Sequence, residues 1–110
     1  MALPQKIIRI GGASGFWGDS SVAAPQLAAV PGLNYLVFDY LAELTMSILA
    51  SARAKNPEFG YATDFVEVAM RQALKTCRER GIKVIANAGG MNPGACARAL
   101  EKLAAEQGVA

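Results

Sequence analysis

Two carboxylates and one amide occupy positions from which they could do chemistry together. Asp39 directly follows one apolar run, Asn87 follows another, and Glu43 lies four positions after Asp39. Carboxylates that lie close together push their pKa values apart, as general acid–base catalysis requires, and an amide can orient a carbonyl beside them. The alternative for Glu43 is a purely structural role in the first turn of a helix, where it stabilises the helix dipole. We predict Asp39, Glu43 and Asn87 as catalytic residues, together with Asp19.

A glycine-rich segment follows the first apolar run of the chain. Small residues after a strand allow backbone N–H groups to approach an anion. The segment is neither a dinucleotide fingerprint, because positions 13 and 16 hold Ala13 and Phe16, nor a P-loop, because no Gly-Lys-Ser/Thr follows. The alternative is that these glycines only permit a tight turn. The residues predicted to bind a phosphate or carboxylate here are Gly11, Gly12, Ser14 and Gly15.

A second glycine-rich turn follows Asn87. Its residues Gly89, Gly90 and Asn92 are predicted to contribute to substrate or phosphate binding, and Asn92 is also expected to cap the helix after it. We assign no metal and no cofactor from these residues. An alternative that the residue types permit is a divalent cation held by the same four side chains predicted to be catalytic. Those side chains are Asp19, Asp39, Glu43 and Asn87.

Alternating apolar and helix-like stretches predict the elements that position these residues. Strands are predicted at 7–10, 35–38 and 83–86. Helices are predicted from a cap at Ser20 or Ser21 to Pro31, over 41–55, from a capping box at Asp64 to Gly81, and from Asn92 to Gly108. Strands joined through helices run parallel, so their carboxyl ends meet at one edge of the sheet, where such folds bind ligands.

These elements predict one α/β domain over residues 1–110. The expected fold is three-layer and Rossmann-like, with a short parallel sheet of about three strands in the order β-α-β-α-α-β-α. A three-stranded parallel sheet leaves unpaired backbone groups on both outer strands. We therefore expect the fold to be incomplete alone, with further strands supplied by a second copy, a complementary subunit or a longer parent chain.

Composition excludes several classes of function. The chain has no histidine, which removes Ser-His-Asp and Cys-His catalysis and the usual zinc sites. Its 11 basic residues form no dense stripe and no apolar run approaches a membrane span, so neither nucleic acid nor a membrane is an expected partner. The N-terminus has no signal-peptide pattern, so we predict a cytoplasmic protein. Cys77 and Cys96 are expected to be buried and reduced, the alternative being a disulfide or a metal pair.

Four motifs together resemble the start of a known family. They are IGGASGFWGD at 10–19, DYLAELT at 39–45, GYATDF at 60–65 and NAGGMNP at 87–93. In these motifs the chain is similar to the acyclic terpene utilisation protein A (AtuA-like) family, over nearly its whole length but only to the N-terminal part of the longer family members. The resemblance implies bacterial catabolism of acyclic terpenes such as citronellol and geraniol, or of related branched acids, alongside acyl-CoA carboxylases. It supplies no list of catalytic residues.

Three functional hypotheses follow. The first is an enzyme, or the N-terminal half of one, that processes a branched acyl-CoA or carboxylate without histidine chemistry. The second is a non-catalytic subunit that binds an acyl-CoA or a partner chain. The third is a nucleotide-binding α/β domain in which Asp39 contacts a ribose hydroxyl.

Overall fold

A computed structural model describes residues 5–109 and contains one three-stranded sheet. The strands are β1 (Ile10–Ser14), β2 (Tyr35–Phe38) and β3 (Lys83–Ala86), and both neighbouring pairs are parallel. The helices are α1 (Ala23–Ala28), α2 (Glu43–Lys55), α3 (Arg71–Arg80) and α4 (Pro93–Gln107), and a π-helical segment, Phe65–Met70, runs directly into α3. The predicted α/β class, parallel sheet and order of elements are confirmed.

Helices α1 and α3 cover one face of this sheet. Leu36 and Phe38 are buried on that face, where α1 packs on β1 and β2 and α3 packs on both α1 and β3. On the opposite face Ile10 and Ile85 are 65% and 55% exposed. Among residues 5–109 the fold therefore has two layers, the sheet and one layer of helices, and not the three layers predicted. The other face of the sheet is apolar and exposed to solvent.

The first strand lies later in the chain than its apolar pattern predicts. β1 begins at Ile10 and continues through the glycines, with Ile10 opposite Tyr35. Helix α1 packs on this strand at Gly11, where an added Cβ would lie 3.3 Å from the side chains of Leu27 and Leu33. The large residues at 7–8 precede the sheet and are exposed. The prediction of a strand at 7–10 followed by a glycine loop is therefore wrong in position.

Local signals at the helix ends are largely confirmed. Ser20 Oγ accepts the N–H groups of Val22 and Ala23, although α1 ends at Ala28, before the predicted stop at Pro31. Gly81 ends α3 in the left-handed conformation, with φ 68°, which glycine adopts without steric cost.

Helix α2 buries only part of the apolar face that its periodicity predicts, which comprises Leu41, Leu44, Ile48, Leu49 and Ala52. Leu44 and Ile48 are 72% and 46% exposed, whereas Thr45 and Leu49 are buried. The helix ends before Asn56, as the following proline predicts. Among residues 5–109, neither the strands nor the other helices pack against α2.

A single core lies between the sheet and its helices. Phe38, Tyr40 and Phe65 form an aromatic cluster with ring centroids 5.0 to 6.0 Å apart. Cys77 and Cys96 are buried as free thiols, as predicted, and burial raises the pKa of each. Of the helices within residues 5–109, none is long and apolar enough to cross a membrane.

Candidate functional site

Three polar residues meet at the carboxyl edge of the sheet. Ser14 ends β1, Asp39 follows β2 and Asn87 follows β3, so the parallel strands deliver all three to the same place. Asn87 Nδ2 donates to Asp39 Oδ1 at 2.8 Å, and the Asp39 N–H donates to Ser14 Oγ at 3.1 Å. We call Ser14, Asp39 and Asn87 the rim cluster. The carboxyl ends of the parallel strands were predicted to meet at one edge of the sheet, and the rim cluster lies at that edge.

The side chain of Asn87 is fixed from both ends. Its Oδ1 accepts the backbone N–H of Tyr40 at 2.8 Å while its Nδ2 donates to Asp39. One bond needs an acceptor and the other needs a donor, so together they determine which way the amide is oriented. Asp39 itself is exposed. The result is a carboxylate held in place by an amide and open to a ligand.

Ser14 links the ends of two strands. Its carbonyl also accepts the Asp39 N–H, at 3.3 Å, and its Oγ lies 3.5 Å from the Asp39 carbonyl oxygen. The backbone that carries Asp39 is therefore anchored to β1 as well as to Asn87. Ser14, predicted as part of a phosphate loop, lies in a strand and positions Asp39.

Glu43 and Asp19 make no hydrogen bond to the rim cluster among residues 5–109. Glu43 is the first residue of α2, is exposed, and makes no hydrogen bond to Asp39 among residues 5–109. Asp19 Oδ2 accepts the Gly15 N–H at 2.8 Å and so closes its own loop. Nowhere in the described part of the chain do three acidic or cysteine side chains come close enough to hold a metal ion. Among the described residues, Asp19, Asp39 and Glu43 are therefore not gathered into the cluster that the alternative metal site requires.

The first glycine-rich segment does not form the predicted loop. Gly11 and Gly12 lie within β1, and only Gly15 belongs to the loop that follows. The Gly15 N–H, which was expected to face an anion, donates instead to the carboxylate of Asp19. A protein carboxylate thus occupies the position predicted for a phosphate or carboxylate ligand.

The second glycine-rich turn is closely packed. A Cβ at Gly89 would lie 2.9 Å from Pro93, and a Cβ at Gly90, whose φ is +51°, would lie 2.5 Å from Leu49 Cδ1. Asn92 is buried: its Oδ1 accepts the Ala95 N–H at 3.3 Å, and its Nδ2 donates to the carbonyls of Pro57 and Phe59. These contacts account for Gly89, Gly90 and Asn92 structurally, and Asn92 caps α4 as predicted.

One protein family accounts for nearly the whole chain. The family model described as Acyclic terpene utilisation family protein AtuA matches residues 8–110. The chain belongs to the AtuA family. No curated protein and no solved structure was similar enough to match.

Trp17 and Asp64 of this AtuA-family chain form a contact pair that local sequence patterns do not predict. Trp17 Nε1 donates to Asp64 Oδ1 at 2.5 Å and so ties the first loop to the π-helical segment. Trp17 and Asp64 are 47 positions apart in the sequence. Patterns of residue spacing report only on neighbours within a few positions, so they could not predict this hydrogen bond. Asp64 makes no capping bond to its own helix, so the predicted capping box is wrong.

Burial, and to a lesser extent the Asp64 carboxylate, raise the pKa of Tyr40 to about 12.

An apolar groove reaches the rim cluster of this AtuA-family chain. It has a volume of about 760 Å³ and runs between β3 and α4. Asn87 lies at the end of the groove nearest the rim, beside Leu41, Gly89 and Gly90. The polar cluster therefore adjoins an extended apolar surface.

Proposed function

We propose that this AtuA-family chain contributes the polar rim of a site that processes a branched acyl-CoA or a branched carboxylate. The observation that carries the proposal is the exposed carboxylate of Asp39, held by the amide of Asn87 at 2.8 Å. Asp39 would accept or donate the proton in the chemical step. Asn87 has a second N–H on Nδ2 with which it would orient the carbonyl of the substrate.

Two further observations support this class of substrate. Acyclic terpenes are branched hydrocarbons, and their utilisation gives the AtuA family its description. The groove offers Leu41 and the turn at Gly89–Gly90 as an apolar surface directly beside Asn87. A molecule with a polar carbonyl and a branched apolar chain matches a polar pair next to an apolar surface.

Carboxylate chemistry fits the composition of the chain. Because there is no histidine, the groups that remain for proton transfer are carboxylates, hydroxyls, amines, thiols or a group on the substrate. Asp39 is the one acidic residue in the rim cluster, and both of the residues that position it are neutral. We assign the proton-transfer role to Asp39 and keep a catalytic role for Glu43 only as a prediction.

The proposal is tested by titrating the protein with citronellyl-CoA and with citronellate, following binding by calorimetry and turnover by mass spectrometry. Asp39→Asn keeps the shape and the Asn87 contact but removes the charge, so turnover should fall by at least 100-fold while binding changes little. Glu79→Gln is the matched control, since Glu79 is an exposed carboxylate near the end of α3 and makes no hydrogen bond to the rim cluster among residues 5–109. Equal loss in both variants, or undiminished turnover in Asp39→Asn, would contradict the assignment.

A second candidate function is a non-catalytic subunit that binds an acyl-CoA or a partner chain. The open edge of β3 and the groove beside it favour the partner-binding form of this role. Binding without any turnover in the same experiment would select it. The nucleotide-binding hypothesis is tested separately, because a bound nucleotide would raise the melting temperature of the protein.

A further inference from the structure

A small polar pocket lies beside the rim cluster, at the carboxyl edge of β1 and β2. Ser20 and Ser21 line it from the loop that follows β1, and Tyr40 lines it after β2. Asp64, the residue before the π-helical segment, lines it from the other side. Its volume is about 120 Å³. We call it the loop pocket, defined by Ser20, Ser21, Tyr40 and Asp64 with an apolar wall of Val68 and Ala69.

The hydroxyl of Tyr40 belongs to a buried side chain and has no hydrogen-bond partner among residues 5–109. Tyr40 is 5% exposed, and its ring packs against Phe38 and Phe65 at centroid distances of 5.9 and 6.0 Å. The hydroxyl is nevertheless not completely enclosed by protein. Because Tyr40 lines the loop pocket, a ligand in the pocket can reach this hydroxyl. Buried hydroxyls are normally hydrogen-bonded, so the arrangement indicates a ligand.

Asp64 has one carboxylate oxygen engaged and one available. Oδ1 accepts the indole N–H of Trp17, whereas Oδ2 accepts no hydrogen bond within the described part of the chain. Burial, and secondly the charge of Asp64, raise the pKa of Tyr40 to about 12. The phenol therefore keeps its hydrogen at neutral pH and can donate it, while an ionised carboxylate can only accept.

The two serines add hydrogen-bond donors and a fixed loop. Ser20 Oγ accepts the N–H groups of Val22 and Ala23 at 3.3 and 3.1 Å, so its own hydrogen remains to be donated. The Ser21 carbonyl accepts Gln72 Nε2 at 3.1 Å, which holds the loop against α3. The walls of the loop pocket are thus held in place without a ligand, and this lowers the entropic cost of binding one.

These donors and acceptors match a hydroxyl group better than a charged group. An ammonium group only donates, so it could satisfy Asp64 but not the hydrogen of Ser20. A carboxylate only accepts, and Asp64 would repel it. A hydroxyl donates once and accepts twice from a single atom, so it can donate to Asp64 and accept from Tyr40 and Ser20.

The size and the apolar wall of the loop pocket limit the rest of the ligand. Its volume of about 120 Å³ is about four times the share of one molecule in liquid water, about 30 Å³. Covalently linked atoms pack more closely than separate waters, so about four to six non-hydrogen atoms fit. Val68 and Ala69 offer apolar contact to a short alkyl group.

We propose that the loop pocket binds a small alcohol, with its hydroxyl between Asp64 and Tyr40 and its alkyl group against Val68 and Ala69. The pocket is joined to the rim cluster through Tyr40, whose N–H donates to Asn87 Oδ1. The proposal rests on the loop pocket alone and not on the proton-transfer role of Asp39, so binding is its measure and turnover is not.

Trp17 is the only tryptophan of the chain, and its bond to Asp64 makes it a fluorescent reporter of the loop pocket. Titration of the full chain with 2-methylpropan-1-ol should give a saturable change in emission with a Kd of about 1–10 mM, in the range of a good ligand with so few atoms. The same skeleton carrying an ammonium, a carboxylate or a carboxamide group should bind about tenfold more weakly.

Two phenylalanine variants separate the pocket from a general effect of the alcohol. Tyr40→Phe removes only the hydroxyl and should weaken binding about fivefold. Tyr35→Phe is the matched control, because Tyr35 begins β2 at the end of the strand away from Tyr40, and its affinity should be unchanged. If Tyr40→Phe fails to fold, amide chemical shifts of the unsubstituted chain decide: the alcohol should move those of Ser21 and Asp64 but not that of Gly108, which follows α4.

Three results would overturn the proposal. One is an emission change that rises linearly with alcohol concentration, as a solvent effect would, without movement of the Ser21 and Asp64 amides. Another is the same alcohol affinity in Tyr40→Phe and Tyr35→Phe. The third is tighter binding of the ammonium, the carboxylate or the carboxamide than of the alcohol, which would assign the loop pocket to another class of ligand.

Discussion

Asn87 connects more of the candidate site than any other single residue. It holds the carboxylate of Asp39 and the backbone N–H of Tyr40 at the same time, each at 2.8 Å. This pairing was predictable in outline, because both residues follow strands that parallel connections bring side by side. Glu43 was predicted to join them only because it lies four positions after Asp39. Sequence spacing does not determine which way a side chain points at the start of a helix.

Tyr40 provides a prediction about pH. Burial and the nearby carboxylate of Asp64 raise its pKa in the folded protein to about 12, from 10.0 in an unperturbed tyrosine. The folded state therefore favours the neutral phenol. Its contribution to stability is fully present below about pH 10 and is lost as the pH rises towards 12, because the unfolded chain ionises first.

Absorbance at 295 nm measures this ionisation. The titration should contain a late step that disappears in Tyr40→Phe, and the alkaline loss of stability should become shallower in that variant. A titration that is the same in the unsubstituted protein and in Tyr40→Phe above pH 10, apart from the loss of one phenol, would show that Tyr40 is not buried beside Asp64.

At the scale of elements, strand β1 shows where sequence patterns mislead. Large apolar residues usually indicate a strand, yet Ile7 and Ile8 lie outside the sheet and small residues form β1. At Gly11 the close approach of α1 makes any side chain a tight fit, because an added Cβ would lie 3.3 Å from the side chains of Leu27 and Leu33. Such a constraint arises from tertiary packing and leaves no periodic signal. The later strands and α4, which follow ordinary apolar and capping patterns, were predicted within a residue or two.

Two glycine substitutions test this account of the elements. Gly12→Ala should leave stability unchanged or raise it by up to about 1 kcal/mol, because a Cβ there meets nothing within 4 Å. Gly90→Ala should lower the free energy of unfolding by about 2 kcal/mol or more, since its φ of +51° and the contact with Leu49 both oppose a side chain. Urea unfolding of both variants measures the difference. Equal effects would show that one of the two glycines is misplaced.

The buried cysteines provide a second test of the packing. Cys77 on α3 and Cys96 on α4 are 2% and 5% exposed, and burial raises the pKa of both thiols. In the native protein at pH 8 neither should react with Ellman's reagent within minutes, and in urea both should react at once. Rapid reaction of one thiol in the native state would show that its helix is not packed as described.

At the scale of the whole molecule, the polar rim and the open apolar surfaces have one common cause. Parallel strands place Ser14, Asp39 and Asn87 at one edge, and the same topology leaves the β3 edge and one sheet face uncovered within residues 5–109. A sheet of three parallel strands has two outer edges with unpaired backbone groups, so the number of strands alone predicts that further strands are needed. The sequence did not predict the exposed stripe of α2, since periodicity identifies an apolar face without showing what covers it.

The most direct test of the central claim is a double-mutant cycle on Asp39 and Asn87. The free energy of unfolding is measured in urea for the unsubstituted chain, Asp39→Ala, Asn87→Ala and the double variant. The cycle cancels the separate loss of the Tyr40 contact and isolates the bond between the two side chains. We predict a coupling energy of about 0.5–1.5 kcal/mol, as expected for a hydrogen bond to an exposed carboxylate. Additive effects within about 0.3 kcal/mol would contradict the claim that the parallel strands bring these two residues into contact.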